Sequence, residues 1–441
     1  MRKTFAIWAL VLSVALALTA CAGGSGSGSS GTDGGGSAGG ASQGSSQKKV
    51  EIEFYYPVAV GGPIQQLIDK LANDFMAEHE NIVVKPIYAG SYQDTMTKVT
   101  TAVQGGNPPD LAVLLSTELY TLLEMDAVEE LTNLFPQEFW NDFYEGFMGN
   151  TKSGDRIWSV PFQRSTIVLY YNKEKFRDAG LDPEKPPANW QELVEYGKKL
   201  TTGDQWGLEI PSTGYQYWML QAMALQSGGN IMSGDGKKVF FTEPHVEEAL
   251  QFYVDLGMTH QIMPKGILEW ATVPSDFISG KTAMMYHTTG NLTRVKNEAQ
   301  FDFGVAFLPA NKRYGSPTGG GNIYVFKGIP PENKEAALEF IKFLTRPERV
   351  AQWSIDTGYV GTTKSSYETE RLKKYVEEFP QAAVARDQLQ YADSELSTYQ
   401  NGLVTKTLND NIQAALNGNI TPKEALQKSQ NEADRILAPY Q

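Results

Sequence analysis

From Val50 onward the chain alternates between two hydrophobic periods, and that alternation narrows its fold class more than any other feature. Val50-Glu51-Ile52-Glu53-Phe54 alternates apolar and polar residues, the pattern of a strand with one wet face. After Pro63, placed where a first helical turn tolerates proline, Ile64, Leu67, Ile68, Leu71 and Phe75 fall on one helical face. Ile82 to Tyr88 reads as a second strand. A helix carrying Met96, Val99 and Val103 ends at Gly105-Gly106. Leu111-Ala112-Val113-Leu114-Leu115 is a continuous apolar run, as expected of a central strand covered on both faces. Strand, helix, strand, helix, strand predicts an open α/β sheet.

A second series begins at Ile167–Tyr171, with helices expected around 190–200, 215–226 and 246–258 and strands near Leu208 and at 282–286. Another strand is expected at Ile323–Phe326, preceded by Gly319-Gly320-Gly321, which reads as a flexible turn or as a nest of backbone N–H groups. The remainder is mostly helical. Roughly 390 residues follow residue 47, more than one hydrophobic core accommodates, so two lobes are expected.

The N-terminus has a different character. A basic start, Met1-Arg2-Lys3, leads into an apolar run to Ala20, too short and wrongly flanked for a membrane span. Cys21, the only cysteine in the sequence, sits at the cut site, so residues 1–21 resemble a bacterial lipoprotein signal. That resemblance implies that the sulfur of Cys21 receives a lipid, holding the chain on the outer face of the cytoplasmic membrane. Residues 22–47 are almost all Gly, Ser, Ala and Gln, a composition expected to stay disordered, with ends on the order of 30 Å apart. The G-x-S-x-G and G-x-G-x-x-G matches at 34–39 lie inside this tract, without a flanking strand or helix.

A net charge of −13 argues against nucleic acid or a broad anionic lipid surface as partner. With one cysteine there is no internal disulfide, and stability must come from burial. The four histidines, His79, His245, His260 and His287, lie far apart, without H-E-x-x-H spacing, so neither a metal site nor a cofactor is expected. Aromatic residues make up 11% of the chain, enough to supply stacking surfaces as well as core.

Several stretches, taken in order, resemble the solute-binding proteins of bacterial carbohydrate-type ABC importers. They are Gly105–Asp110 before an apolar strand, Val160-Pro161-Phe162 leading to Leu169–Lys173, and Pro186–Trp190 opening a helix. Phe277–Met284, Phe303–Pro309, Gly319–Asn322 and Thr357–Val360 continue the series. Within the family the chain is most similar to the glycerol-3-phosphate-binding branch, through Ala89-Gly90-Ser91-Tyr92 and Gly180–Pro183. The resemblance implies a two-lobed, type II periplasmic-binding-protein-like α/β fold that hinges on one ligand. Lobe one would comprise 48–163 and 322–365, lobe two 166–320 and 367–441. It also implies a small-molecule solute (sugar, polyol or glycerophosphodiester), a membrane permease as partner, a monomeric state, and a binding protein rather than an enzyme. A surface-anchored hydrolase and a structural surface lipoprotein are the alternatives.

Ligands of open α/β folds sit beyond the carboxyl ends of strands, which puts Tyr92, Ser116, Arg164, Ser165, Thr288, Thr289, Gly320 and Tyr359 at the mouth of the cleft. Tyr55 ends the first strand at the cleft edge. Tyr215 and Trp218 open a helix in a region where relatives place stacking tryptophans, although core packing would use the same rings. Gly320 and Gly321 belong to the candidate nest, and Arg164 could grip a phosphate bidentately or simply brace the crossing. The branch carries a glutamate after the third strand and an arginine near the C-terminus that helps hold phosphate. Here Ser116 and Ser397 occupy those places. Glycerol 3-phosphate, a neutral sugar and a larger glycerophospho-compound therefore remain open as ligands.

Overall fold

The computed structural model describes residues 49–441. The expected lipoprotein signal with Cys21 and the expected linker lie outside them. The expected strands and helices of the first series form at Val50–Tyr56, Ile64–Glu78, Ile82–Tyr88, Tyr92–Gln104 and Leu111–Leu115. Local chemistry sets the ends. Ser91 and Asp94 form a reciprocal capping box at the start of Tyr92–Gln104. Asn189 caps Trp190–Leu200 by accepting from the backbone N–H of Glu192 at 2.9 Å. Gln216–Ser227 has all twelve residues buried and reads as apolar on every side, as an interior helix should.

The sheet runs Ile82–Tyr88, Val50–Tyr56, Leu111–Leu115, Ser316–Val325, Val160–Asn172, Met284–Thr288. The first three strands are parallel, and the later pairings in that order are antiparallel. Two long antiparallel strands form its spine. Ile323 to Val325 pair with the Leu111–Leu115 strand, whereas Ile167 to Asn172 pair with Met284–Thr288 and Phe303–Ala306. Between these ends, Val160–Thr166 pairs with Thr318–Ile323.

Two main hydrophobic cores flank the spine, in keeping with a two-lobed α/β architecture. One gathers Ile52, Phe54, Phe75, Leu111, Val160, Ile323 and Phe340. The other gathers Ile167, Leu169, Leu193, Trp218, Tyr253, Leu408 and Leu426. A smaller cluster around Phe147, Tyr170, Phe277 and Leu389 joins segments from both parts of the chain.

Two sequence expectations are corrected. No strand forms near Leu208; Trp206 and Glu209 make only isolated bridges, to Thr282 and Met285. Gly319-Gly320-Gly321 is neither a turn nor a nest, because all three residues lie within the strand Ser316–Val325. They are glycines for lack of space. A Cβ at 319 would meet the Trp218 ring at 2.3 Å, and one at 321 would meet Val113 at 2.7 Å. Gly320 also has φ +89°, and its Cβ would fall 1.9 Å from the Gln163 carbonyl oxygen.

Gly320→Ala should therefore destabilise the protein by at least about 2 kcal/mol, since strain at positive φ adds to a collision with rigid backbone. Gly203→Ala, whose Cβ meets nothing within 4 Å, is the control and should stay within about 0.5 kcal/mol of the parent. Denaturant unfolding of both variants measures the difference.

Candidate ligand-binding cleft

A narrow cleft lies between the two cores. The first core's side contributes Ala59, Val60, Tyr92, Leu115 and Tyr359; the second contributes Tyr215, Trp218, Trp270 and Thr288. Ser165, Gly320 and Glu395 complete the lining. The free space is about 30 Å³, room for a water molecule but not for a sugar ring. A wider groove lies between the segments Tyr144–Lys152 and Arg386–Ser394, but it is open and lined by scattered charges. The aromatic cleft is the stronger candidate because aromatic rings from both cores face a buried carboxyl with an unpartnered oxygen there.

The aromatic wall is rigid. Trp218 Nε1 donates to the Thr318 carbonyl at 3.0 Å while its ring lies across Gly319. Trp270 Nε1 donates to the Ala59 carbonyl at 3.1 Å, tying one side of the cleft to the other. The Trp270 ring meets Tyr215 edge-on, with centroids 4.6 Å apart, and lies 6.3 Å from Trp218. His287 backs Trp270. Its Nδ1 accepts from Asn291 Nδ2 at 2.9 Å, which leaves Nε2–H to donate to the Trp270 carbonyl at 3.0 Å. Burial pushes this imidazole down to about 3, so it stays neutral.

The polar side of the cleft centres on Glu395. Oε1 accepts from the Tyr217 hydroxyl at 2.7 Å, whereas Oε2 is buried without a partner. The backbone at 395 is clamped in both directions: Asn150 Nδ2 donates to its carbonyl at 2.9 Å, and its N–H donates to Asn150 Oδ1 at 2.8 Å. Burial raises the carboxyl to about 7, opposed by the Tyr217 hydrogen bond and the Arg164 charge. The Ser116 hydroxyl stands beside it and is the last of the groups that lower the carboxyl, but the two do not reach hydrogen-bond geometry.

Of the residues expected from sequence, Tyr92, Ser165, Tyr215, Trp218, Thr288, Gly320 and Tyr359 line this one cleft. Six do not. Tyr55 packs with Met96 and Leu114. Gly321 is closed off by Val113 and Tyr92. Ser116 and Thr289 are buried behind the wall. Ser397 donates to the Thr117 carbonyl at 2.7 Å.

Arg164 is fully buried behind the cleft, with Nη2 donating to Thr318 Oγ1 at 2.9 Å and Nη1 to Asn322 Oδ1 at 3.2 Å. Glu395, Trp270, Ala59, Val60 and Leu115 were not singled out by sequence. Trp270 and Glu395 sit in segments without regular structure, so no periodicity marks them. Among the described residues no group of three His, Cys, Asp or Glu could hold a metal, and no helix is long and apolar enough to cross a membrane.

The comparisons agree with this architecture. Residues 70–381 match the family described as "Bacterial extracellular solute-binding protein", and the chain belongs to that family. It is similar to the sn-glycerol-3-phosphate-binding periplasmic protein UgpB of Pectobacterium atrosepticum, at 25% identity over 90% of this chain and 93% of the relative. The UgpB of Yersinia pseudotuberculosis is 27% identical over 89% of this chain and 93% of its own. Among solved structures, UgpB from Mycobacterium tuberculosis in complex with glycerophosphocholine superposes with TM-score 0.79 at 24% identity, covering 88% of this chain and 99% of that one. Maltose-bound T. maritima MalE3 gives TM-score 0.78 at 24% identity, covering 88% and 100%. The family is one of binding proteins, and nothing supports the hydrolase alternative.

Glu395 makes a pH prediction. Its carboxyl holds a proton in the fold up to about pH 7, against an ordinary value of 4.5. Between those values the folded state binds more protons than the unfolded chain, so stability falls as pH rises through this window. The loss is on the order of 3 kcal/mol by pH 8. Glu395→Gln should remove that decline, so its stability advantage over the parent grows from about pH 5 to pH 7 and then levels off. Denaturant unfolding at several pH values measures the difference, with other titrating groups cancelling.

Proposed function

We propose that this chain is the solute-capturing component of an ABC importer, taking a sugar, polyol or glycerophospho-type solute between its lobes for delivery to a permease. The observation that carries this reading is the cleft itself. Flat aromatic side chains from both cores converge there with hydroxyls and one buried carboxyl whose Oε2 has no partner, the combination a polyhydroxylated ligand needs. The names of the related glycerol-3-phosphate and maltose binders point to the same ligand class.

In this reading the lobes are 48–163 with 322–365 and 166–320 with 367–441, and the hinge runs through Arg164–Ile167, Gly320–Asn322 and Ser365–Tyr367. A space of about 30 Å³ requires the lobes to part before a ligand enters. The body acts as a monomer, attached to the outer membrane face through lipid on Cys21.

Four measurements test this. A thermal-shift screen of sugars, polyols and glycerophosphodiesters should yield at least one ligand that raises Tm, and small-angle scattering should then show that ligand shifting the lobes toward the closed form. A flat screen would count against the reading. Trp218→Ala should weaken binding by about 1–3 kcal/mol in calorimetric titration, a common cost for truncating an aromatic anchor; unchanged affinity in the folded variant would remove Trp218 from the site. Cys21→Ser should release the protein from membranes and leave ligand affinity unaltered.

A further inference from the structure

We infer that Glu395 is the specificity-determining residue of the cleft: its free Oε2 receives a hydroxyl of a neutral, saccharide-type ligand and excludes phosphate monoesters. This rests on the reading of the cleft as the solute site and narrows its ligand class.

The first support is an unmet hydrogen bond. Glu395 is 2% exposed and lines the cleft, yet Oε2 has no donor. A buried carboxylate oxygen without a donor carries a full desolvation penalty, which a ligand hydroxyl would relieve. The side chain cannot readily swing away, because Asn150 clamps its backbone and Tyr217 holds Oε1.

The second support is that the cleft presents no cation to an anion. None of the described residues lining the cleft is Lys, Arg or His. Arg164 does not line the cleft; its Nη1 and Nη2 bond to Asn322 and Thr318, its Nε is buried without a partner, and its Cζ lies 5.3 Å from the Phe147 ring centroid. Gly319 to Gly321 are held in the strand ladder and form no nest. A phosphate monoester would thus bring up to two negative charges beside a carboxylate, with no cation lining the cleft to pair with them.

Charge on Glu395 depends on the groups facing it: Tyr217, Tyr215, Tyr92, Arg164 and Glu118. Burial comes first among the causes and holds the carboxyl protonated to about pH 7. Rejection of an anion should therefore sharpen as pH rises past neutrality, while a neutral ligand keeps its contact on both sides.

The test is calorimetric titration of the full chain and of Glu395→Gln with maltose, trehalose, sucrose and sn-glycerol 3-phosphate at pH 6 and pH 8. Gln keeps an acceptor for Tyr217, so the fold should survive. The parent is expected to bind at least one disaccharide and to bind glycerol 3-phosphate far more weakly, most clearly at pH 8. Glu395→Gln should weaken the disaccharide about tenfold, improve glycerol 3-phosphate at least tenfold at pH 8, and erase the pH dependence. Asn150→Ala, which loosens the Glu395 backbone, should narrow the discrimination in the same direction and serves if Glu395→Gln does not fold. Glycerol 3-phosphate binding the parent as well as the variant at pH 8 overturns the inference and leaves the cleft as a solute site. A glycerophosphodiester binding where no disaccharide does has the same consequence. If no solute binds either form, the importer reading fails as well.

Discussion

Arg164 holds the centre of the molecule together. It lies on one of the two spine strands, and its guanidinium reaches the side chains of Thr318 and Asn322 on the other. A fully buried cation carries a desolvation cost of several kcal/mol unless its donors are used. Burial accordingly pulls Arg164 down to about 10, and the charge of Glu395 is the largest opposing influence. Among the described residues the pair is not close enough to form a salt bridge, so each stabilises the other through the field alone. That separation has a consequence for the cleft: a contact ion pair would occupy the carboxylate, whereas this arrangement leaves Oε2 unpartnered.

The same centre shapes how the cleft closes. Several hydrogen bonds join segments far apart in the chain: Trp270 to Ala59, Ser397 to Thr117, and the Tyr120 hydroxyl to the Gly234 carbonyl at 2.8 Å. Gln400 adds a bond to Glu124 at the surface. Each contributes about 1 kcal/mol net, so separating the lobes is costly but not prohibitive. A ligand shifts such an equilibrium only through contacts made better in the closed arrangement. Trp218 and Trp270 are suited to that role, since one is anchored to the spine and the other to the opposite side.

The sequence made the elements of the first lobe legible because hydrophobic period and cap chemistry agree there. The helix after Pro63 and the strand Leu111–Leu115 form where their patterns place them. The glycine run at 319–321 misleads for a physical reason. Glycine marks either conformational freedom or lack of space, and only the folded chain reveals Trp218, Val113 and the Gln163 carbonyl pressed against it. Trp218 was visible because it opens a helix in a motif; Trp270 was not, since the Glu269-Trp270 segment has no period. Arg164 was visible as a charge, but its commitment to Thr318 and Asn322 depends on strand register. Glu395 shows the same limit. Its importance comes from burial, a clamp by a residue 245 positions away, and one unpartnered oxygen, none of which leaves a local trace.

Fold and ligand are therefore set by different parts of this chain. Relatives with the same architecture are named for ligands as different as maltose and glycerophosphocholine, so the spine and the two cores cannot decide what is bound. What remains to decide it is a small set of side chains at the spine's surface. In the proposed site those are aromatic rings, which accept an apolar face whatever charge the rest of the ligand carries, and one clamped carboxyl, which does not. Rings alone would leave the cleft permissive. Discrimination falls to the group whose pairing can be left incomplete by the wrong ligand, because an unmade hydrogen bond to a buried charge costs more than a lost apolar contact of similar size.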